Sequence, residues 1–253
     1  MRADPRARPG GREVLARLAR LPYLEARYRP ASLPGREAEL EVLARTVAEA
    51  REGEQAAAII LGPTRSGKSA ILDVAGAAAA RAPDTAVLFA RCHPGEHVPY
   101  LALDGIVDSL TRVLAEMPPR DQRRLVSSDA PALVAAFPVI RRIHSFRDVL
   151  ASVPADLDRA LVDGLVHMLR IVAEHRHLVL CIDDLQHSDA PGMRVLNALI
   201  GHAHAPAMAY LLAAREMPRP SLPYCVLRVP VQPPVWADEH DDDTIEQSLR
   251  VAV

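Results

Sequence analysis

The chain contains a single lysine, Lys68, and it stands where lysine has chemistry to do. Residues 62–69 read Gly62-Pro63-Thr64-Arg65-Ser66-Gly67-Lys68-Ser69, the G-x-x-x-x-G-K-[ST] spacing of a phosphate-binding loop. Glycines let the backbone curl until successive N–H groups point inward at an anion. A helix starting directly afterwards adds free N–H donors and the positive end of its dipole. Lys68 is a compact charge that reaches β- and γ-phosphates, whereas a planar guanidinium is too bulky for that slot. The Ser69 hydroxyl suits Mg²⁺. The implied ligands are ATP or ADP with Mg²⁺. The pattern fixes few positions, so a glycine turn met by chance would satisfy it without context. The context agrees: an apolar run, Ala56–Leu61, precedes the loop and an Ala-rich helical stretch, Ser69–Ala80, follows it.

A second constellation lies downstream. The apolar run Leu178–Ile182 leads directly into Asp183-Asp184. Carboxylates at the C-terminal end of a buried strand sit where ligands bind in open α/β sheets. Asp183 is expected to hold Mg²⁺, and Asp184 to orient or deprotonate the attacking water. Two acids that merely end a strand in a solvated loop are the alternative; beside a phosphate loop it loses weight. Arg215 follows another apolar run, Met208–Ala213. It is expected at the same sheet edge, where a cation could sense the γ-phosphate or stabilise transition-state charge. Other groups read as ordinary. Cys92, His93 and His97 lack a second ligand pair at zinc spacing and read as loop residues. Arg123-Arg124 and Arg141-Arg142 have no interleaved aromatics and read as solvated helix faces. His187 reads as a polar loop residue.

These residues need a scaffold. Arg36–Glu52 carries Leu40, Leu43, Val47 and Ala50 at helical spacing. Thr85–Ala90 reads as a second strand. A long helical stretch follows, with Leu103, Ile106, Val107, Leu110 and Leu114 on one face, and a repeat of that pattern over 156–174. Shorter helices lie between, broken by Pro118, Pro119, Pro131 and Pro138. A helix is expected over Ala190–His202, and a short fifth strand over Val226–Val231, where Pro230 casts doubt on the end. Strands alternating with helices predict a mainly parallel sheet covered on both faces. The fold class is therefore α/β: a three-layer P-loop sandwich of five strands, with a helical insertion between the second and third. Residues 1–31 read as a leader or linker with a short helix near Val14–Leu21, residues 32–235 as the core, and 236–253 as an acidic tail.

Composition narrows the function classes. A net charge of −2 over 253 residues gives no global case for nucleic acid or acidic lipid. No apolar run approaches the roughly 18 residues of a membrane span. The Arg-rich N-terminus lacks the apolar stretch of a secretory signal. Three scattered cysteines, Cys92, Cys181 and Cys225, suit a reducing cytoplasm better than a disulfide framework.

Several segments together resemble one family. Leu33-Pro34-Gly35-Arg36-Glu37-Ala38-Glu39-Leu40 is similar to the opening motif of origin-recognition-complex-like AAA ATPase domains, within the class of signal-transduction ATPases with numerous domains (STAND). Asp183-Asp184-Leu185-Gln186-His187-Ser188-Asp189 resembles their acidic segment. Cys92, Val98-Pro99-Tyr100 and the 102–108 stretch, continued by Phe137-Pro138-Val139-Ile140-Arg141-Arg142, resemble the version attached to bacterial serine/threonine kinases and to large ATP-binding LuxR-type regulators. The resemblance covers roughly 32–230. It implies an ATP-dependent switch in a larger signalling protein, with protein partners or fused signalling domains. It implies that Gly35 and Arg36 lie near the adenine, and that the phosphate-loop strand sits between the last strand and the one bearing Arg215. Two departures stand out. Arg65 replaces a glycine usual in the loop, and His187 stands where the family often has Trp. The chain also stops near the point where a helical lid is expected to begin, so 236–253 could be a lid stub.

The leading expectation is a regulatory ATPase that binds Mg-ATP and hydrolyses it slowly. The alternatives are a degenerate nucleotide-binding fragment acting as a protein-interaction module, a P-loop kinase for a small molecule, and origin-type DNA binding, against which the acidic balance argues.

Overall fold

A computed structural model of the chain describes residues 33–96, 98–218, 222–223 and 226–232. The expectations for residues 1–31, His97, Cys225 and 236–253 lie outside these. The described elements run in alternation. They are α1 (Glu37–Arg51), β1 (Ala56–Leu61), α2 (Lys68–Ala79), β2 (Thr85–Arg91), α3 (Leu101–Ala115), α4 (Pro119–Arg124), α5 (Ala130–Ala136), α6 (Leu157–Ala173), β3 (His177–Asp183), α7 (Ala190–Leu199), β4 (Met208–Ala214) and β5 (Leu227–Pro230).

The interiors of β1, β3 and β4 are apolar and buried because both faces of the sheet are covered there. Strand order is β2-β3-β4-β1-β5, and every pairing is parallel. The phosphate-loop strand β1 thus lies between β5 and β4, the order that the resemblance implied. Side chains alternate between two cores, as the pleat requires. Ile59, Leu180, Tyr210 and Leu212 point into the larger core, formed with α3, α6, α7 and the short helices of the insertion. Ile60, Cys181, Leu211 and Ala213 point into the smaller one, formed with α1 and α2. The three-layer sandwich and the helical insertion between β2 and β3 are as expected.

Several boundaries differ from the sequence expectation by a residue or more, and some have a clear local reason. β2 runs one residue further, to Arg91, because Arg91 pairs directly with Asp183 in the parallel ladder. α7 stops at Leu199 rather than His202, and Gly201 follows it at φ 77°. The insertion prolines start helices rather than break them. Pro119 is the first residue of α4, Pro131 lies in the first turn of α5, and Pro138 opens a 3₁₀ turn. A missing N–H costs nothing in a first turn.

Candidate functional site

The loop 62–67 joins β1 to α2 at the C-terminal edge of the sheet. Two of its glycines are required by geometry. A Cβ on Gly62 would lie 2.3 Å from the Val231 carbonyl oxygen, because the chain after β5 closes over the loop and Val231 N–H donates to Leu61 O at 2.7 Å. Gly67 caps α2 at φ 87°, a left-handed conformation that glycine adopts freely. Arg65 also adopts positive φ, 64°, so the loop keeps a glycine-like turn despite the side chain, which is exposed. Pro63 and Thr64 are exposed with it, and Ser66 is buried.

Lys68 is buried, with 7% of its surface exposed. Its Nζ donates to Pro63 O at 2.7 Å and lies 3.5 Å from Ser66 Oγ. Burial lowers its pKa, and the nearby carboxylates of Asp184 and Asp183 work against that shift. The first N–H groups of α2 have no partner within their own helix, so the loop offers an ammonium and several donors together.

Asp183 ends β3 and Asp184 follows it, both beside the loop. Asp183 is fully buried. Its Oδ1 accepts from Asp184 N–H at 2.9 Å, and its Oδ2 accepts from Arg91 Nη2. Asp184 is held at φ 54°. Gln186, in the turn that follows, ties two strand ends together. Its Nε2 donates to Asp184 Oδ1 at 3.0 Å, and its Oε1 accepts from Arg215 N–H at 3.0 Å. Arg215 emerges just past β4 with its side chain exposed, close enough for its charge to press on Lys68.

Arg36 reaches the loop from the start of α1. Its guanidinium donates to Ser66 O at 3.1 Å, to Gln232 O at 2.6 Å and to Glu39 Oε1 at 2.9 Å. Gly35 precedes it at φ 75°. The predicted site residues from 35 to 215 therefore come together around one sheet edge. Among the residues read as ordinary, two arginines have ion-pair partners. Arg124 pairs with Glu174 and Arg142 with Asp108. An apolar groove of about 460 Å³ between α1 and α2, lined by Leu40, Leu43, Val47 and Val74 among others, offers few donors for a phosphate.

Arg91 was missed by the sequence reading. Its Nη2 contacts Asp183 Oδ2 and donates to Ser69 Oγ at 3.0 Å. Its Nε lies 3.4 Å from Asp184 Oδ2 yet is buried without a hydrogen bond. Burial works against the Arg91 charge, but Asp183 and then Asp184 outweigh it and its pKa is raised. A charged residue closing the second strand was the available signal, since the sheet-edge rule that selected Asp183 and Arg215 applies equally there. Gln186 and Asp189 belong to the acidic segment, where the motif by itself gives neither a role. Asp189 accepts from Tyr100 N–H and Leu101 N–H, both at 2.9 Å, and so caps α3.

Among the described residues, no three His, Cys, Asp or Glu side chains cluster as a metal site. A phosphate-bound Mg²⁺ needs fewer protein ligands than that, because substrate oxygens and waters fill the rest. Ser69 Oγ and Asp183 are donors of the right kind. They fit the ion once the Arg91 guanidinium, which lies on both, moves aside.

The profile described as "AAA ATPase domain" matches residues 32–212. No curated protein sequence matches the chain. Among solved structures, the Cdc6p protein of Pyrobaculum aerophilum is similar at 16% identity and a TM-score of 0.48, covering 81% of this chain and 48% of that one. The Aeropyrum pernix ORC1 protein, solved in complex with DNA, is similar at 17% identity and a TM-score of 0.46, covering 90% of this chain and 52% of its own. Drosophila ORC bound to DNA is similar at 15% identity and a TM-score of 0.46, covering 81% and 45%. The chain thus spans about half the length of these proteins.

Proposed function

The chain belongs to the AAA ATPase domain family, and from that premise we propose that it is a regulatory ATP-binding module that hydrolyses ATP slowly. The observation that carries this reading is the burial of the only lysine at the head of α2, in the field of the carboxylates of Asp184 and Asp183. A buried ammonium whose nearest partner is a backbone carbonyl is under-compensated. Phosphate oxygens would replace Pro63 O as its acceptors, and the free N–H groups of α2 would take the rest of the charge. Ser69 and Asp183 would hold Mg²⁺, which when bound supplies charge neutralisation at the β- and γ-phosphates. Asp184 is suited to orient the water that attacks the γ-phosphorus as the bond to ADP breaks. Through Gln186 it is linked to the backbone of Arg215, so a γ-phosphate sensed at Arg215 and the water-orienting carboxylate would move together. Gly35 and Arg36 would border the adenine side of the loop. The likeness to signalling ATPases of the STAND class supports a role in signal transduction in the cytoplasm, with protein partners or fused signalling domains reading the nucleotide state.

The test is equilibrium binding of fluorescent ADP and ATP with Mg²⁺, comparing the native protein with Lys68→Ala. Binding in the native chain and its loss in the variant are expected. A folded native chain that binds neither nucleotide overturns the reading. A second reading, a non-catalytic nucleotide-binding fragment acting as an interaction module, is favoured by one observation: Arg91 lies between Ser69 and Asp183. Phosphate release that disappears in Asp184→Asn decides for the ATPase. Nucleotide binding with no phosphate release in either protein decides for the module.

A further inference from the structure

We propose that Arg91 is the resident counter-cation of this site, so that nucleotide binds without a divalent ion and Mg²⁺ enters only in competition with the Arg91 side chain. This rests on the nucleotide-binding reading above and deepens it.

The position is fixed by the sheet rather than by a flexible side chain alone. In the parallel ladder of β2 with β3, Arg91 stands directly opposite Asp183. Its guanidinium contacts Ser69 Oγ and Asp183 Oδ2 through the same nitrogen and faces Asp184 with Nε. Those first two oxygens are the protein ligands that a phosphate-bound Mg²⁺ would take. Asp183 retains 1% and Arg91 27% of its side-chain exposure, so solvent screens the pair poorly.

The need for a cation here is electrostatic. Two adjacent carboxylates beside a phosphate chain repel it strongly in a partly buried setting. Some cation must neutralise them before an anion can dock. In most phosphate sites of this kind a divalent ion does so and arrives with the nucleotide. Here a guanidinium already lies there, always charged and with five donors in a fixed plane. One of those donors, Nε, is buried 3.4 Å from Asp184 Oδ2 without completing a hydrogen bond to it. Mg²⁺ gains Ser69 and Asp183 only by detaching Arg91 from both, which strips a half-buried guanidinium of its partners. The same competition accounts for slow turnover in the module proposed above.

The experiment measures the Kd of fluorescent ADP in EDTA and in excess Mg²⁺ for the native protein, Arg91→Gln and Lys68→Ala, with folding followed by circular dichroism. The native Kd is expected to agree within about threefold between the two conditions. Arg91→Gln is expected to bind poorly in EDTA and to tighten by about tenfold or more in Mg²⁺. Mn²⁺ titration followed by electron paramagnetic resonance is expected to give tighter ion binding in Arg91→Gln than in the native chain. A native Kd that itself tightens tenfold or more with Mg²⁺ overturns the proposal while leaving nucleotide binding intact. An Arg91→Gln protein as indifferent to Mg²⁺ as the native one also overturns it. Native protein that binds no ADP in either condition overturns the nucleotide reading and this inference with it. Should Arg91→Gln fail to fold, the native comparison decides alone.

Discussion

At the residue scale, several positions at the sheet edge are set by space or by field, and each yields a measurable effect. Gly62→Ala places a methyl group where the Val231 carbonyl oxygen already sits. Loop and closing segment must separate, and the variant is expected to lose ADP affinity and to unfold at lower urea than the native chain. Cys92 sits immediately after Arg91, fully buried, with its N–H donating to Asp183 O at 3.0 Å. Burial, helped by the charges of Asp184, Asp189 and Asp183, pushes its thiol up to about 12. The thiolate is the reactive form, so the native chain in a Cys225→Ser background is expected to resist iodoacetamide near neutral pH and to react on denaturation. The sign for stability follows from a folded pKa above the ordinary one. The contribution is complete below the ordinary thiol value of 9.0 and is lost as pH climbs through about 12. The stability lead of the native protein over Cys92→Ala is therefore expected to shrink across that window in urea melts. Residue types mark Lys68, Ser69 and the acid pair as candidates for one site. They did not mark Arg91, because one arginine among many carries its meaning only through the strand opposite.

At the scale of elements, the acidic segment after β3 serves two places in the fold, the candidate site and the cap of α3. Asp183 and Asp184 face the loop, while Asp189 turns away and takes over the cap of α3. The residue preceding α3, Tyr100, sits at φ 61° and provides no side-chain cap. Two bonds from Asp189 fill that gap. The Tyr100 hydroxyl donates to Asp158 Oδ1 at 3.0 Å, and Asp158 also receives Arg194 at 2.6 Å. The first turn of α3 is thus fastened to α6 and α7. Asp189→Ala is expected to destabilise the chain by about 2–3 kcal/mol, since hydrogen bonds to a charged group contribute about 1.5–3 kcal/mol each and solvent recovers part of the loss. Urea unfolding measures it, and Asp189→Asn is expected to recover part of the difference. Helix periodicity made α1, α3 and α6 legible in the sequence. The mutual fastening of α3, α6 and α7 was not, because it joins residues nearly 90 positions apart.

At the scale of the molecule, the sheet separates two cores and gathers the candidate site residues at one edge. Leu212, fully buried at the middle of the sheet, packs into the larger core. Its replacement by Ala is expected to cost about 2–5 kcal/mol, the range for truncating a buried leucine, read from denaturant unfolding. Arg36 acts across greater distances, joining α1, the phosphate loop and the segment after β5. Sequence alone determined the alternation of strands and helices, the phosphate loop and the acid pair. Each is written in local signals: apolar runs of strand length, helical periodicity, and a motif of fixed residue types and spacing. What tertiary structure decided is which of those local pieces meet. The ladder register sets Arg91 against Asp183, the position of β5 beside β1 forbids a side chain at Gly62, and Gln186 spans the ends of β3 and β4. Such pairings depend on strand order and register, which arise from the summed packing of both cores, and no window of sequence contains both partners.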